Sequence, residues 1–537
     1  MRLSASGRRA GPVLALAAGG MAAIAHPPFG FLPGLLGYAI LLHLLDVAPG
    51  PRPLRAAFWR GWLAGFAYFF IGCWWVAEAF MVDARGQGWM APIAACLLPA
   101  GLGLFWGAAA ALYRVFRPEG PSRVLAFAGA LTALEWVRGH LLTGFPWNLP
   151  GVAWPAGGAV SQAASAVGAY GLTWITLALA GAFALPFGPD RRRSLAWTGV
   201  AVLGLAALWG WGAARLAHAV VDDASAPVVR VVQPDVKQEK KYEDASIRSI
   251  FQRHLELTAR PAARLPDVVV WSEGAIPMSA NDLLAPGGGG EAGLRAALRP
   301  GQTLLMGTYR IAGDAARPLY YNSLFAVRDE AGGLKVTAVY DKYRLVPFGE
   351  FLPAEQLLQP LGFKDLTHIA DSFSHGAPPA PIRPEGTPAV QPLICYESLF
   401  PDLVRDAVRR GGVRPRWIVN VSNDSWFGVT SGPIQHLNQA SYRAIEEGMP
   451  IVRATPTGIS AVIDAYGRIR PGGRLGFGQI GVVDSPLPAE IKVTTYGRLG
   501  DLGLGLLFIL SILTLRRGIW SRLRRLSVTT RQFWTKH

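Results

Sequence analysis

Three side chains able to carry out acyl transfer stand just past three apolar runs. Glu273 closes Val268-Val269-Val270-Trp271-Ser272-Glu273, Lys342 follows Val339-Tyr340-Asp341, and Cys395 follows Pro392-Leu393-Ile394. A thiol with a pKa near about 8.5 is little ionised at neutral pH. A carboxylate beside it can take its proton as general base. A lysine ammonium can stabilise the thiolate and the oxyanion of a tetrahedral intermediate. Glu, Lys and Cys together therefore make a covalent acyl-transfer centre without metal or histidine. Taken singly, each has an ordinary reading: a solvated strand-end carboxylate, a surface lysine, a cysteine buried as a small hydrophobe. Competing centres find less support. There is no Gly-x-Ser-x-Gly elbow, no His-Glu-x-x-His, no cysteine pair and no glycine-rich loop ending in Gly-Lys-Ser/Thr. A Cys/His dyad using His375 or His436 stays open beside the Glu-Lys-Cys scheme.

The elements that must position these residues lie between 227 and 486, where short β-rich runs alternate with polar helical stretches. Strands are expected at 228–233, 268–272, 303–309, 323–327, 336–340, 390–395, 417–421 and 459–465. Helices are expected at 243–260, 291–298, 401–410 and 435–447. That alternation predicts an α/β domain, and in such sheets ligands bind at the carboxyl ends of strands. Gly/Pro-rich stretches at 285–290 and 376–388 read as surface loops.

The rest of the chain has a different solvent. Hydrophobic residues make up 51% of the 537 residues and charged residues 16%, against about 25% charged in soluble domains. Apolar runs at 11–25, 31–47, 61–82, 89–112, 124–142, 159–187 and 195–213 precede the α/β region, and one at 499–515 follows it. Eight membrane spans are expected. Arginines cluster in alternate connections: Arg2, Arg8 and Arg9; Arg52, Arg55 and Arg60; Arg114, Arg117 and Arg123; Arg191, Arg192 and Arg193; and Arg516, Arg517, Arg522, Arg524 and Arg525 after the last run. The positive-inside rule then places both termini in the cytoplasm and the α/β domain outside. The same placement accounts for much of the net charge of +16 without a nucleic-acid partner. The first run also reads as a signal peptide, with Ala23-Ile24-Ala25 as its cleavage site. The expected division is a membrane domain over 1–220, the α/β domain over 227–486, a last span over 496–517 and a basic tail over 518–537. Three cysteines leave no disulfide framework.

The order Glu273, Lys342, Cys395 resembles the nitrilase superfamily, whose domain is an α-β-β-α sandwich. Longer motifs sharpen the likeness: 342–353 (KYRLVPFGEFLP), Ile394-Cys395-Tyr396-Glu397 and Asn423-Asp424-Ser425-Trp426-Phe427-Gly428 in the α/β region, with Glu135-Trp136-Val137-Arg138-Gly139 and Thr143-Gly144-Phe145-Pro146-Trp147-Asn148 in the apolar part. So do Arg443-Ala444-Ile445-Glu446 and Arg453-Ala454-Thr455. Together they resemble the apolipoprotein N-acyltransferases, a membrane-embedded branch of that superfamily. The likeness implies transfer of an acyl chain from a phospholipid, typically phosphatidylethanolamine, to the α-amine of a diacylated apolipoprotein. It implies a monomer in the bacterial inner membrane, with a periplasmic catalytic domain and no cofactor or metal. It further implies Cys395 as nucleophile, Glu273 as base and Lys342 as oxyanion stabiliser. Glu350 would hold Lys342 and the base. Tyr396 and Glu397 would support the centre, and Trp426 and Phe427 would line substrate access unless they are plain core. Two positions depart from the family pattern: Ser272 where proline is common, and Pro456 where asparagine is common. A multispan transporter with an outer binding domain, or a membrane-anchored amidase, are the alternatives. A transporter would need paired broken helices and more intramembrane charge than Glu78 and Glu135 supply.

Overall fold

The computed structural model describes residues 10–48, 51–187, 191–217, 223, 225–238, 241, 244–314, 316–352 and 372–514. The arginines at 2, 8 and 9, position 353 of the 342–353 motif and the tail 518–537 lie outside the described residues. Two compact units emerge. One comprises Met1–Trp74, Pro92–Ala217 and Leu499–His537, and the other Trp75–Ala91 and His218–Arg498.

The second unit is an α/β sandwich. Its strands are β1 (Val228–Gln233), β2 (Val268–Trp271), β3 (Thr303–Asp314), β4 (Arg317–Glu330), β5 (Gly333–Asp341), β6 (Val390–Ile394), β7 (Trp417–Val421), β8 (Ile451–Ala454), β9 (Ser460–Ile463), β10 (Ile469–Leu475) and β11 (Gly481–Pro486). One sheet has the order β11-β1-β2-β3-β4-β5 and the other β10-β9-β8-β7-β6. The central pairs β1–β2, β2–β3, β6–β7 and β7–β8 are parallel, and the outer pairs are antiparallel. Strand periodicity divides the first sheet's side chains between two cores. Val229, Val231, Val268, Val270 and Leu305 join Val390, Ile394, Val419, Val421 and Val452 between the sheets. Val232, Val269, Trp271, Leu304 and Met306 face Ile250, Leu257 and Leu294 of helices Asp244–Thr258 and Gly289–Ala297. Helix Gly432–Glu447 is buried along most of its length and packs on the turns that follow β6 and β7. The layer order is α-β-β-α.

Three strands were not expected. In β8 the charged Arg453 interrupts only four residues, and β10 contains Pro471-Gly472-Gly473 and a register shift. Isolated strand patterns of this kind are weak, and pairing with neighbours decides them. β11 lies against β1 over all six of its residues.

The helical unit contains helices Ala10–Ala23, Gly37–Asp46, Pro53–Cys73, Arg123–His140 and Leu502–Thr514, together with the stretches Gly88–Phe116 (from Pro92 onward), Val160–Phe187 and Arg191–Ala217. The last three are long and apolar enough to cross a membrane. Arg191–Ala217 buries only Ser194 and Gly212 and exposes Trp197, Leu203 and Trp209, as a lipid-facing helix does. Close helix contact relies on small residues: a Cβ on Gly19 would fall 1.8 Å from the Ala64 carbonyl oxygen.

The apolar run expected to continue through 61–82 ends as a helix at Cys73. Residues Val76–Met81 form a separate short helix in the α/β unit. Trp75 explains the break. Its indole donates to Gln435 Oε1 at 3.3 Å, and its ring meets Phe427 edge-on at 4.7 Å.

Candidate active site

The three residues singled out by chemistry converge at one end of the sandwich. Glu273 follows β2, Lys342 follows β5 directly, and Cys395 follows β6 directly, starting a single turn over Cys395–Leu399. All three are buried. Glu273 Oε1 lies 3.1 Å from Lys342 Nζ and accepts from Asn322 Nδ2 at 2.7 Å, while Oε2 accepts the Asn423 backbone N–H at 2.8 Å. Glu350 shares the same donors: its Oε1 lies 2.8 Å from Lys342 Nζ and 2.7 Å from Asn322 Nδ2. Its Oε2 accepts the Val346 N–H at 2.9 Å, which folds the 346–350 loop back on itself. The Asn322 carbonyl in turn accepts the Lys342 N–H at 2.8 Å. Gly307 on β3 makes room for Glu273, because a Cβ there would fall 2.7 Å from Glu273 Cα.

Cys395 has φ +49, in the left-handed region that non-glycine residues seldom occupy. The turn is braced by Glu397. Its Oε2 accepts the Ile394 N–H at 2.8 Å, and its Oε1 accepts from Tyr340 Oη at 2.9 Å and from the N–H groups of Tyr343 at 2.8 Å and Arg344 at 3.1 Å. One carboxylate thus ties the backbone before Cys395 to the backbone after Lys342. Tyr396 is buried edge-on to Phe400 at 5.2 Å. Phe427 is half-buried against Trp75, and Trp426 is half-buried beside it in the same turn, Asp424–Phe427.

The charges are set by mutual contact. Burial pushes the Glu273 carboxyl up, but the Lys342 ammonium and hydrogen bonds from Asn322, Lys342 and Cys395 outweigh it and hold it below the usual carboxylate range. Burial pushes Lys342 down, and Glu273 and Glu350 more than reverse this, so it stays protonated. Burial, reinforced by Glu273, pushes the Cys395 thiol up to about 12 against the pull of Lys342. The resting arrangement is a neutral thiol, a carboxylate able to accept its proton, and a fixed ammonium beside both.

The histidines of the alternative dyad contact backbone carbonyls near the cluster. His375 is exposed, with Nδ1 3.0 Å from the Tyr343 carbonyl oxygen. His436 is buried, with Nε2 3.2 Å from the Cys395 backbone carbonyl oxygen.

Two residues near Glu273 escaped the sequence reading. Asn322 is the single amide side chain of β4, and its value appears only once β4 is paired with β3 and β5. Lys241 is buried next to Gly274, where a Cβ would lie 3.0 Å from its Nζ. Burial lowers the Lys241 pKa to about 8 although Glu273 pulls it up. At the two departures from the family pattern, the Pro456 carbonyl oxygen accepts the Val236 N–H at 3.2 Å and uses no donor, and Ser272 Oγ is buried without a hydrogen-bond partner among the described residues.

Comparison with known proteins extends over both units. Residues 18–182 match the family model described as the apolipoprotein N-acyltransferase N-terminal domain, and residues 228–487 match the carbon-nitrogen hydrolase model. An apolipoprotein N-acyltransferase of Caulobacter vibrioides is 55% identical over 502 residues, covering 93% of each chain. One from Rhodopseudomonas palustris is 38% identical over 507 residues, covering 91% of this chain and 92% of its own. Among solved structures, an amidase from Nesterenkonia sp. aligns with 53% of this chain and 98% of its own at 16% identity and a TM-score of 0.34.

Proposed function

The chain belongs to the apolipoprotein N-acyltransferase family, in the nitrilase superfamily, and from that premise we propose that it moves a fatty acyl chain from a membrane phospholipid, phosphatidylethanolamine in the first instance, onto the α-amine of a diacylated apolipoprotein through a thioester on Cys395. The acceptor class and the membrane setting come with the family; the donor, the intermediate and the residue roles are the proposal. The observation that carries it is the single Lys342 ammonium held by Glu273 and Glu350, with the Cys395 thiol against Glu273.

In the first half-reaction Glu273 takes the thiol proton while sulfur attacks the ester carbonyl carbon of the donor. Lys342 stabilises the oxyanion while Glu273 keeps the proton it has taken. The C–O bond breaks, and the lysophospholipid alkoxide leaves with the proton carried by Glu273. In the second half-reaction the neutral acceptor amine attacks the thioester and Glu273 accepts its proton. The C–S bond breaks, the amide is released, and the proton returns to the thiolate. Glu350 fixes the ammonium between these events, Glu397 fixes the turn, and Tyr396, Trp426 and Phe427 shape the approach.

The proposed setting is the inner membrane, with the α/β domain of 227–486 in the periplasm, both termini and the tail 518–537 in the cytoplasm, spans within 1–220 and 496–517, and a monomeric enzyme. The alternation of arginine-rich connections supports it. A donor labelled separately in acyl chain and head group tests the reaction. Acyl label alone should reach a diacylated lipopeptide, and its amine should be consumed. Transfer of head-group label, or release of free fatty acid without amide, would contradict the proposal.

A further inference from the structure

The loop after β7 touches both reacting side chains from behind. The Asn423 N–H holds Glu273 Oε2, as described above. The next residue, Asp424, is fully buried and belongs to a second network. Arg453 NH2 donates to Asp424 Oδ1 at 2.8 Å and Oδ2 at 2.7 Å, and Ser422 Oγ donates to Oδ1 at 2.9 Å. Arg453 also reaches Asn420 Oδ1, and Asn420 Nδ2 donates to the Leu393 carbonyl oxygen at 3.0 Å, two residues before the nucleophile. His436 Nδ1 accepts from Arg453 NH2 at 3.2 Å, beside Asp424 Oδ1 at 3.0 Å, so in the neutral imidazole Nε2 carries the hydrogen, 3.2 Å from the Cys395 carbonyl oxygen and 3.0 Å from Ser398 Oγ. Ser398 Oγ donates to the same carbonyl at 2.9 Å.

A carbonyl gripped from two sides fixes the peptide plane that follows Cys395, and with it the left-handed backbone at φ +49 that aims the thiol. Nothing in the proposed chemistry uses this network, yet its histidine, aspartate and arginine are all buried, a costly arrangement unless it specifies geometry. Burial and Arg453 hold the His436 imidazole below its ordinary pKa, so it is not a charge reserve.

We propose that His436, held by the Arg453 guanidinium that Asp424 pins, is a positioning residue for Cys395, and that the dipeptide Asn423-Asp424 sets base and nucleophile in register by holding Glu273 with one residue and the Arg453–His436 relay with the next. His436 acts on the thiol only through the Cys395 backbone. The inference rests on the reading of Cys395 as the acyl carrier.

Single-turnover acylation by phospholipid vesicles of defined composition tests it, with the acylated full-length protein followed against time by intact mass. His436→Ala should reach the same final acylated fraction as the wild type about 10- to 100-fold more slowly, the range expected when a reacting group is misplaced by an ångström or less. The donor concentration giving half-maximal rate and the shape of the pH profile should not change. His436→Gln, which keeps a polar end near the carbonyl, should recover part of the rate. Ser398→Ala, a much smaller change, should slow the same step by a few-fold and decides the matter if His436→Ala does not fold. An unchanged rate overturns the inference, and so does a lower final fraction at unchanged rate, which marks a merely structural role. Loss of one limb of the pH profile would make His436 the base and overturn it too. A wild type that forms no thioester at all overturns the acyl-enzyme reading itself, and this inference with it.

Discussion

Glu135 with Arg138 in the helical unit, and Lys342 with Glu273 and Glu350 in the α/β unit, are all buried charges, but the two groups differ in how completely they are closed. Glu135 Oε1 accepts from Trp106 Nε1 at 2.7 Å and from Arg138 Nε at 3.4 Å, its Oε2 meets Arg138 NH2, and Arg138 NH1 donates to the Phe145 carbonyl oxygen. One cation is balanced by one anion, with backbone and indole filling the rest. Around Lys342 one ammonium serves two carboxylates, and a thiol sits against one of them. The extra negative charge is what can receive a proton. A closed pair fixes a fold; an open cluster stores the capacity for proton transfer and is held together by Asn322, Asn423 and Val346 N–H groups.

Removing the proton acceptor should have the largest effect. Glu273→Gln keeps the shape but loses the base, and acylation of Cys395 should collapse by at least about 1,000-fold in a single-turnover assay, combining loss of base catalysis with loss of charge beside Lys342. Lys342→Arg keeps the charge but replaces a compact ammonium by a planar fork. Turnover should fall roughly 100-fold or more, the scale of one lost oxyanion donor. Near-normal turnover in this variant would make Lys342 a bystander and return it to the closed class.

Glu397→Gln comes next. Both of its oxygens only accept, so an amide must turn one N–H group towards a donor. A drop of about 10-fold in turnover is expected, with about 1–3 kcal/mol lost in denaturant unfolding.

The closed pair should behave in the opposite way. Arg138→Met leaves Glu135 buried and unpaired and should cost about 3–5 kcal/mol of stability, while the double change Glu135→Gln with Arg138→Met should recover most of it. Turnover per folded molecule should hardly move. A large kinetic defect in a stable double variant would erase the distinction between the groups.

Much of this was legible from residue order. Glu273, Lys342 and Cys395 follow apolar runs, and the strands beneath them formed where expected because their alternation suits two cores. Glu350 and Glu397 were named, Glu350 as the partner of Lys342, but the backbone N–H groups that the two carboxylates accept depend on loop geometry that spacing does not encode. Asn322 was invisible because one amide in a strand has no meaning until β3 and β5 are placed beside it. The run through 61–82 misled because composition registers apolar residues, not their partners, and Trp75 pairs with Phe427 of the α/β unit. β8 was missed for a related reason: Arg453 breaks its apolar pattern, yet inside the fold it is neutralised by Asp424.

The smallest expected change is a flat response to pH. With its pKa pushed up to about 12 by burial and by Glu273, the resting thiol should react slowly with iodoacetamide and show no inflection between about pH 6 and about pH 9. The sign for stability follows. An unfolded thiol ionises near about 8.5 and the folded one does not, so this group's contribution is complete below that value and is lost as pH rises towards the folded pKa. An alkylation midpoint near neutrality would mean a preformed thiolate and a cluster closed by Lys342.

The central claim, that the open cluster loads an acyl chain onto Cys395, is tested most directly by intact mass spectrometry of the protein after incubation with phospholipid and no acceptor. The account predicts a mass increase of one fatty acyl group that hydroxylamine removes, that an added diacylated lipopeptide discharges, and that is absent in Cys395→Ala and Cys395→Ser. No adduct on the wild type, or the same adduct on Cys395→Ala, would contradict it.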